Sequence, residues 1–117
     1  MAGRFNTDVL DRALERQRRE REALRLAVQA RALQLLDESP VALDEAILFG
    51  SVVRPGRFDA RSDIDVAVPD LEPRDFFTLM GHLEEGLGRE IDLVPIDTCH
   101  FADSIRRMGL TWNRTGM

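Results

Sequence analysis

From Thr7 to Glu38 the chain contains neither glycine nor proline, and Ser39-Pro40 then stops whatever precedes it. Thr7 or Asp8 can cap a helix across this run, and at 1.5 Å per residue it would reach roughly 45 Å. Residues 40–117 are left to build one modest core, with an expected radius of gyration of only ~11.5 Å. One end of such a helix must project or pack on another chain. Its apolar residues form two clusters, Val9, Leu10, Ala13 and Leu14, then Leu24, Ala27, Val28 and Leu35, separated by the charged run Glu15 to Glu22. Within that run, i,i+4 pairs such as Glu15 with Arg19 support a solvated helix. The second cluster is therefore expected to pack on the core, and the first to contact a second copy or a partner. The chain reads as a helical extension, 1–39, followed by a single domain, 40–117.

The composition removes whole classes of chemistry. All 16 basic residues are arginine, so a lysine Schiff base and a P-loop lysine clamp are both absent. One cysteine and two histidines leave too few soft ligands for an ordinary structural zinc site, so carboxylates must carry any metal chemistry. The net charge is −5, and the acidic excess lies wholly in residues 40–117, which hold eight arginines against fourteen acids. Direct nucleic-acid binding is not expected, because it rests on a basic face. The opening residues have no apolar run of signal-peptide type, and no stretch approaches the ~20 apolar residues of a membrane helix. A soluble cytoplasmic protein with no membrane contact is expected.

After Pro40, short apolar runs alternate with helical stretches, the pattern of a small α/β or α+β domain. Ala46–Phe49 reads as a buried strand ending at Gly50-Ser51. Asp63–Val68 reads as a second, with Ile64, Val66 and Val68 on one face and Asp63, Asp65 and Ala67 on the other. Pro73 opens a helix that Gly88 can cap. Glu90–Ile96 is a third strand, Asp97 or Thr98 can cap a last helix to about Met108, and Leu110–Asn113 can add a short final strand.

The chemistry concentrates between Gly50 and Val68. A strand delivers Gly50-Ser51 to a turn where backbone can approach a ligand closely, and Val52-Val53-Arg54 can begin a helical turn whose free N–H groups suit phosphate. Arg54, Arg57 and Arg61 add positive charge to this loop, which reads as an anion site. Asp63 and Asp65 project from one strand face with Cα atoms roughly 6.5 Å apart. Two like charges so placed call for a cation, and Mg²⁺ prefers oxygen ligands from one or two carboxylates together with substrate phosphates. Asp92, in the middle of the third strand, is a third carboxylate, which would be costly if buried unpaired. Were this strand to neighbour the second, three carboxylates would converge, enough to hold two metals about 3.5 to 4 Å apart for in-line displacement at phosphorus.

Residues 44–113 resemble the minimal nucleotidyltransferases of the polymerase-beta superfamily, in the order strand, Gly50-Ser51, loop, Asp63-x-Asp65, helix, and strand with Asp92. The loop between Ser51 and Asp63 is one residue longer than the family's usual spacing. The resemblance implies a small mixed sheet with flanking helices. It implies that Asp63, Asp65 and Asp92 are catalytic and bind Mg²⁺ or Mn²⁺, with Asp92 helping to deprotonate the attacking hydroxyl. Gly50 and Ser51, with Arg54 and Arg61, would hold the nucleotide. The implied reaction moves a nucleoside monophosphate from an NTP, ATP by expectation, to a hydroxyl and releases pyrophosphate. Little of the chain is left to grip the base, so a partner can complete the site. Members of this family pair with HEPN-domain ribonucleases as antitoxins, some by adenylylating the toxin.

Two other functions fit the same residues: an antitoxin module that inhibits its partner by direct binding with little turnover, and a regulatory nucleotide-binding subunit. Of the remaining residues, Asp59 is expected to form a turn, His82 to sit on a helix surface, His100 and Cys99 to be structural, and Trp112 with Phe76-Phe77 to fill the core.

Overall fold

The computed structural model describes residues 7–114. The run free of glycine and proline forms one helix, α1 (Thr7–Asp37), and the chain leaves it through Ser39, whose hydroxyl donates to the Val41 carbonyl at 2.8 Å. Thr7 and Asp8, the expected caps, are both already within the helix. There follow β1 (Glu45–Phe49), a 3-10 turn (Gly50–Val53), β2 (Ile64–Val68), α2 (Pro73–Leu87) and β3 (Ile91–Pro95). A second 3-10 turn (Ile96–Thr98), α3 (Ala102–Met108) and β4 (Leu110–Asn113) complete the chain. The last helix thus begins later than Asp97 or Thr98. Ile96 is buried, and Cys99 donates its backbone N–H to the Ile96 carbonyl, which closes a separate turn before α3 can start.

The strands form one sheet in the order β3-β2-β1-β4. β1 lies antiparallel to both β2 and β4, while β2 and β3 are parallel, joined by the α2 crossover that parallel neighbours require. The register puts Leu48, Val66 and Leu93 side by side on one face. This face packs with Val28, Ala32, Leu35 and Leu36 of α1 and with Leu79 and Leu83 of α2. The opposite face carries Ile47 and Ala67, covered by Ile96 and by Ile105 of α3. Phe49, Asp65 and Asp92 belong to this second face too, Phe49 packing against that small cluster.

Only the carboxyl-terminal half of α1 is core. Its buried residues, Arg25, Val28, Ala32, Leu35 and Leu36, recur at helical spacing, whereas residues 7–21 are exposed all round. The described molecule measures 69 × 28 × 27 Å and has a radius of gyration of 17.9 Å, well beyond the ~13 Å of a compact 100-residue domain, because the helix projects. Among the described residues no helix is long and apolar enough to cross a membrane; α1 has the length but is too polar.

Several side chains sit elsewhere than expected. Ala27 is exposed, since it falls on the solvent side of α1. His82 is half-buried, and its Nε2 lies 2.7 Å from the Leu35 carbonyl, tying α2 to α1. The two helices meet closely at Gly86, where a Cβ would stand 2.4 Å from Leu35 Cδ2. Phe76 is half-buried but Phe77 is 66% exposed, the two rings meeting edge to face at 5.6 Å. Trp112 is buried as expected, and its indole N–H donates to Asp37 Oδ1 at 2.7 Å, fastening β4 to the end of α1.

Candidate active site

β1 ends at Phe49, and the backbone turns at Gly50 with φ +75°, a region that favours glycine. A second constraint acts on the same atom. A Cβ at Gly50 would stand 2.2 Å from Asp65 Oδ2, so the carboxylate of Asp65 occupies the space a side chain would need. The turn and the carboxylate are packed on one another, and either one dictates the residue type of the other.

The register of the parallel strands places Asp92 of β3 directly beside Asp65 of β2. Asp63 precedes β2 and is exposed. Burial, reinforced by the negative charges of Asp92 and Asp63 and a hydrogen bond with Asp92, pushes the Asp65 carboxyl up to about 6. Asp92 itself is exposed, contrary to the buried position expected from its apolar neighbours. β3 is an edge strand, and among the described residues Asp92 stays exposed there.

The donor chemistry suits a hard divalent cation. All three groups offer oxygen, and burial of Asp65, with the charges of Asp92 and Asp63 adding to it, disfavours its bare carboxylate, a cost that such a cation would offset. Among the described residues no three His, Cys, Asp or Glu side chains close into a ready-made metal cage. Mg²⁺ in particular requires only one or two carboxylates, with waters and phosphates completing its shell. Strand register brings Asp65 and Asp92 together, close enough for their side chains to hydrogen-bond.

Two elements hold the Gly50 turn in place. Arg25 of α1, only 7% exposed, donates Nη1 to the Val52 carbonyl at 3.1 Å, and Gln29 Nε2 donates to the same oxygen at 3.3 Å. Glu22 pairs with Arg25, accepting from Nε at 3.0 Å, and this contact holds the Glu22 carboxyl below its usual range. On the far side, Asp59 Oδ1 accepts from the Arg61 backbone N–H at 2.8 Å, and the Asp59 N–H donates to Ser62 Oγ at 2.9 Å, which is the expected turn. Arg89 donates to the Ser62 carbonyl at 2.9 Å and lies 4.9 Å over the ring of the buried Phe58, so this loop is anchored just before Asp63.

Neither Arg25 nor Gln29 was anticipated as part of the site. The signal was present in part: Arg25 shares its helical phase with Val28, Ala32 and Leu35, which marks a charged residue on the core side. What it would reach could not be read from helical phase.

Arg54, Arg57 and Arg61 are all exposed. Of these, Arg54 lines a cleft of about 250 Å³ that runs from Gly50 and Val53 to Phe101, Ser104 and Met108 of the α3 region. Arg61 instead sits in the Asp59 turn. Two larger hollows, of about 410 and 370 Å³, lie between the projecting part of α1 and the loop through Pro55 and Ala60; they are lined mostly by charged and small residues and hold none of the three aspartates.

No family model matches the chain, and no curated protein matches it. Among solved structures, a chain from a crystal structure of a toxin–antitoxin with AMP-PNP superposes with a TM-score of 0.57 and 25% sequence identity, covering 74% of this chain and 74% of that one. The architecture is the one expected from the strand-turn-strand pattern: a small mixed sheet flanked by helices, behind a long amino-terminal helix. The fold therefore belongs to the mixed α/β class, and it is shared with a component of a toxin–antitoxin complex.

Proposed function

We propose that the chain is the nucleotidyltransferase-type member of a toxin–antitoxin pair, which transfers a nucleoside monophosphate from an NTP to a hydroxyl on its partner. The observation that carries this reading is the contact of Gly50 with Asp65, itself in register with Asp92. A turn open to phosphate thereby adjoins paired carboxylates. The likeness to a toxin–antitoxin solved with AMP-PNP supports both the protein partner and ATP as the nucleotide.

In this reading the Gly50-Ser51 backbone orients the triphosphate, with Arg54 at its side. Asp63, Asp65 and Asp92 would hold Mg²⁺ or Mn²⁺, which when bound supplies electrostatic stabilisation of charge developing at phosphorus. The acceptor oxygen attacks the α-phosphorus, the bond to the bridging oxygen breaks, and pyrophosphate leaves. Asp92, exposed beside Asp65, takes the proton of the attacking hydroxyl. A HEPN-domain ribonuclease is the expected acceptor.

A second reading has its own observation. Leu10 and Leu14 on the projecting helix are 54% and 47% exposed, a surface that could hold a toxin by contact alone. Incubating the chain with α-labelled ATP, Mg²⁺ and the co-purified toxin separates the two. Label on the toxin, lost in an Asp63→Asn, Asp65→Asn variant, is the expected result. Inhibition of the toxin by both wild type and variant, without label, would favour occlusion and overturn transfer.

A further inference from the structure

The cleft between the Gly50 turn and α3, lined in part by Phe49 and Ile105 of the second-face core, adjoins the Asp65 carboxylate through Gly50. Gly50 is common to both: it lines the cleft, and its Cα faces the Asp65 carboxylate. From there the walls change character. Arg54 supplies the one cationic group, and beyond it come the ring of Phe101, the Ser104 hydroxyl and the Met108 thioether. Phe101 and Met108 are 57% and 58% exposed, although both are large and apolar. The Ser104 hydroxyl meets Met108 Sδ at 3.9 Å, and sulfur is a weak acceptor, so it can turn to a better one.

We infer that this cleft takes the nucleoside end of the nucleotide, with the base stacked on Phe101 and Met108 and the phosphates running past Arg54 to Gly50 and Asp65. The inference rests on the nucleotide reading above and deepens it by giving the nucleoside a place. Three features support it. A volume of about 250 Å³ falls below the ~300–1,000 Å³ of a pocket that encloses a whole ligand, which suits a base and sugar whose phosphates lie outside. An exposed aromatic ring and a polarisable thioether together form a stacking platform open to any base. The lining joins the cation of Arg54 and the Gly50 turn to apolar groups of the α3 region, a pairing that matches the charged and the aromatic parts of a nucleotide.

Inorganic tripolyphosphate shares the phosphates of ATP and lacks its base, so titrating each with Mn²⁺ by calorimetry isolates the cleft. Wild type should bind ATP more tightly than tripolyphosphate. Phe101→Ala should weaken ATP about ten- to a hundredfold, the size of one base–aromatic stack, and leave tripolyphosphate within about twofold. Phe101→Trp should restore ATP binding. Because Phe101 is exposed, its truncation should leave the circular dichroism spectrum unchanged. Unaltered ATP affinity in Phe101→Ala would overturn the inference, as would an equal loss for both ligands, since that would mark Phe101 as a support of the phosphate turn. Wild type that binds both ligands equally places the base outside the cleft and also overturns it. Wild type that binds neither overturns the nucleotide reading itself, a distinct result.

Discussion

The guanidinium of Arg25 donates to the main-chain carbonyl of Val52 across 3.1 Å, joining the projecting helix to the turn that begins at Gly50. The contact spans 27 positions in the chain and buries a charge that Glu22 partly balances. The same carbonyl also accepts from Gln29, so two side chains of α1 hold the turn that begins at Gly50.

Removing the guanidinium should therefore loosen the turn as well as the fold. Arg25→Ala leaves the Val52 carbonyl with one donor and Glu22 without its partner, and should lower stability in urea by about 2–3 kcal/mol. Arg25→Lys keeps the charge but not the forked geometry and should cost about half as much. A loss below about 0.5 kcal/mol for Arg25→Ala would show that the contact is not structural.

Gly50 carries two separable constraints, a positive φ and the proximity of Asp65. Gly50→Ala should destabilise by more than the ~1–2 kcal/mol of a left-handed non-glycine residue, because the new methyl also displaces a carboxylate. Introduced beside Asp65→Ala, the same change should cost only the backbone part. Urea midpoints for the two single variants and the double variant test this; strict additivity would mean that Asp65 moves aside freely.

The pH dependence of stability follows from Asp65. Its folded-state value of about 6 exceeds the ordinary 3.8, so folding favours the neutral form and the apo protein loses stability as pH rises from about 4 through 6. Asp65→Asn lacks this loss. The variant should match wild type near pH 3.5 and exceed it above pH 6.5 by roughly 1 kcal/mol, allowing for solvent screening of a half-buried group. Mg²⁺ with ATP at pH 7.5 should reverse the order by stabilising wild type alone. Thermal melts across pH, with and without the ligands, provide the check. A variant less stable than wild type at pH 8 would mark Asp65 as a structural residue.

The free half of α1 yields a prediction about association. Changing Leu10 and Leu14 to Ser removes exposed apolar surface without touching the core, which begins near Arg25. The melting temperature and nucleotide binding should hold, while capture of the co-expressed toxin, or the mass of a homo-oligomer in light scattering, should fall. Unchanged capture together with unchanged mass would exclude this segment as an interface.

Much of this protein was determined locally and could be read without coordinates. The span of α1 follows from the absence of glycine and proline up to Ser39-Pro40, and Gly88 does close α2 in the left-handed conformation, φ 66°. The Gly50-Ser51 turn follows the β1 strand as its pattern implies. None of these properties depends on what lies across the sheet. Asp63, by contrast, expected to open β2, lies just before it, so the period of two does not fix its side chain against Asp65. The tertiary structure decided the rest. Asp92 stands beside Asp65 only because β3 is parallel to β2 in that register, and it is exposed only because β3 is the sheet edge. Its apolar neighbours in sequence, Ile91 and Leu93, look the other way, into the core. Likewise Arg25 announces itself by helical phase as a core-side charge, but its acceptor lies in another element. Periodicity is a property of one segment, whereas register, strand order and hydrogen-bond partners belong to pairs of segments, and those pairs are settled by how the hydrophobic faces pack together.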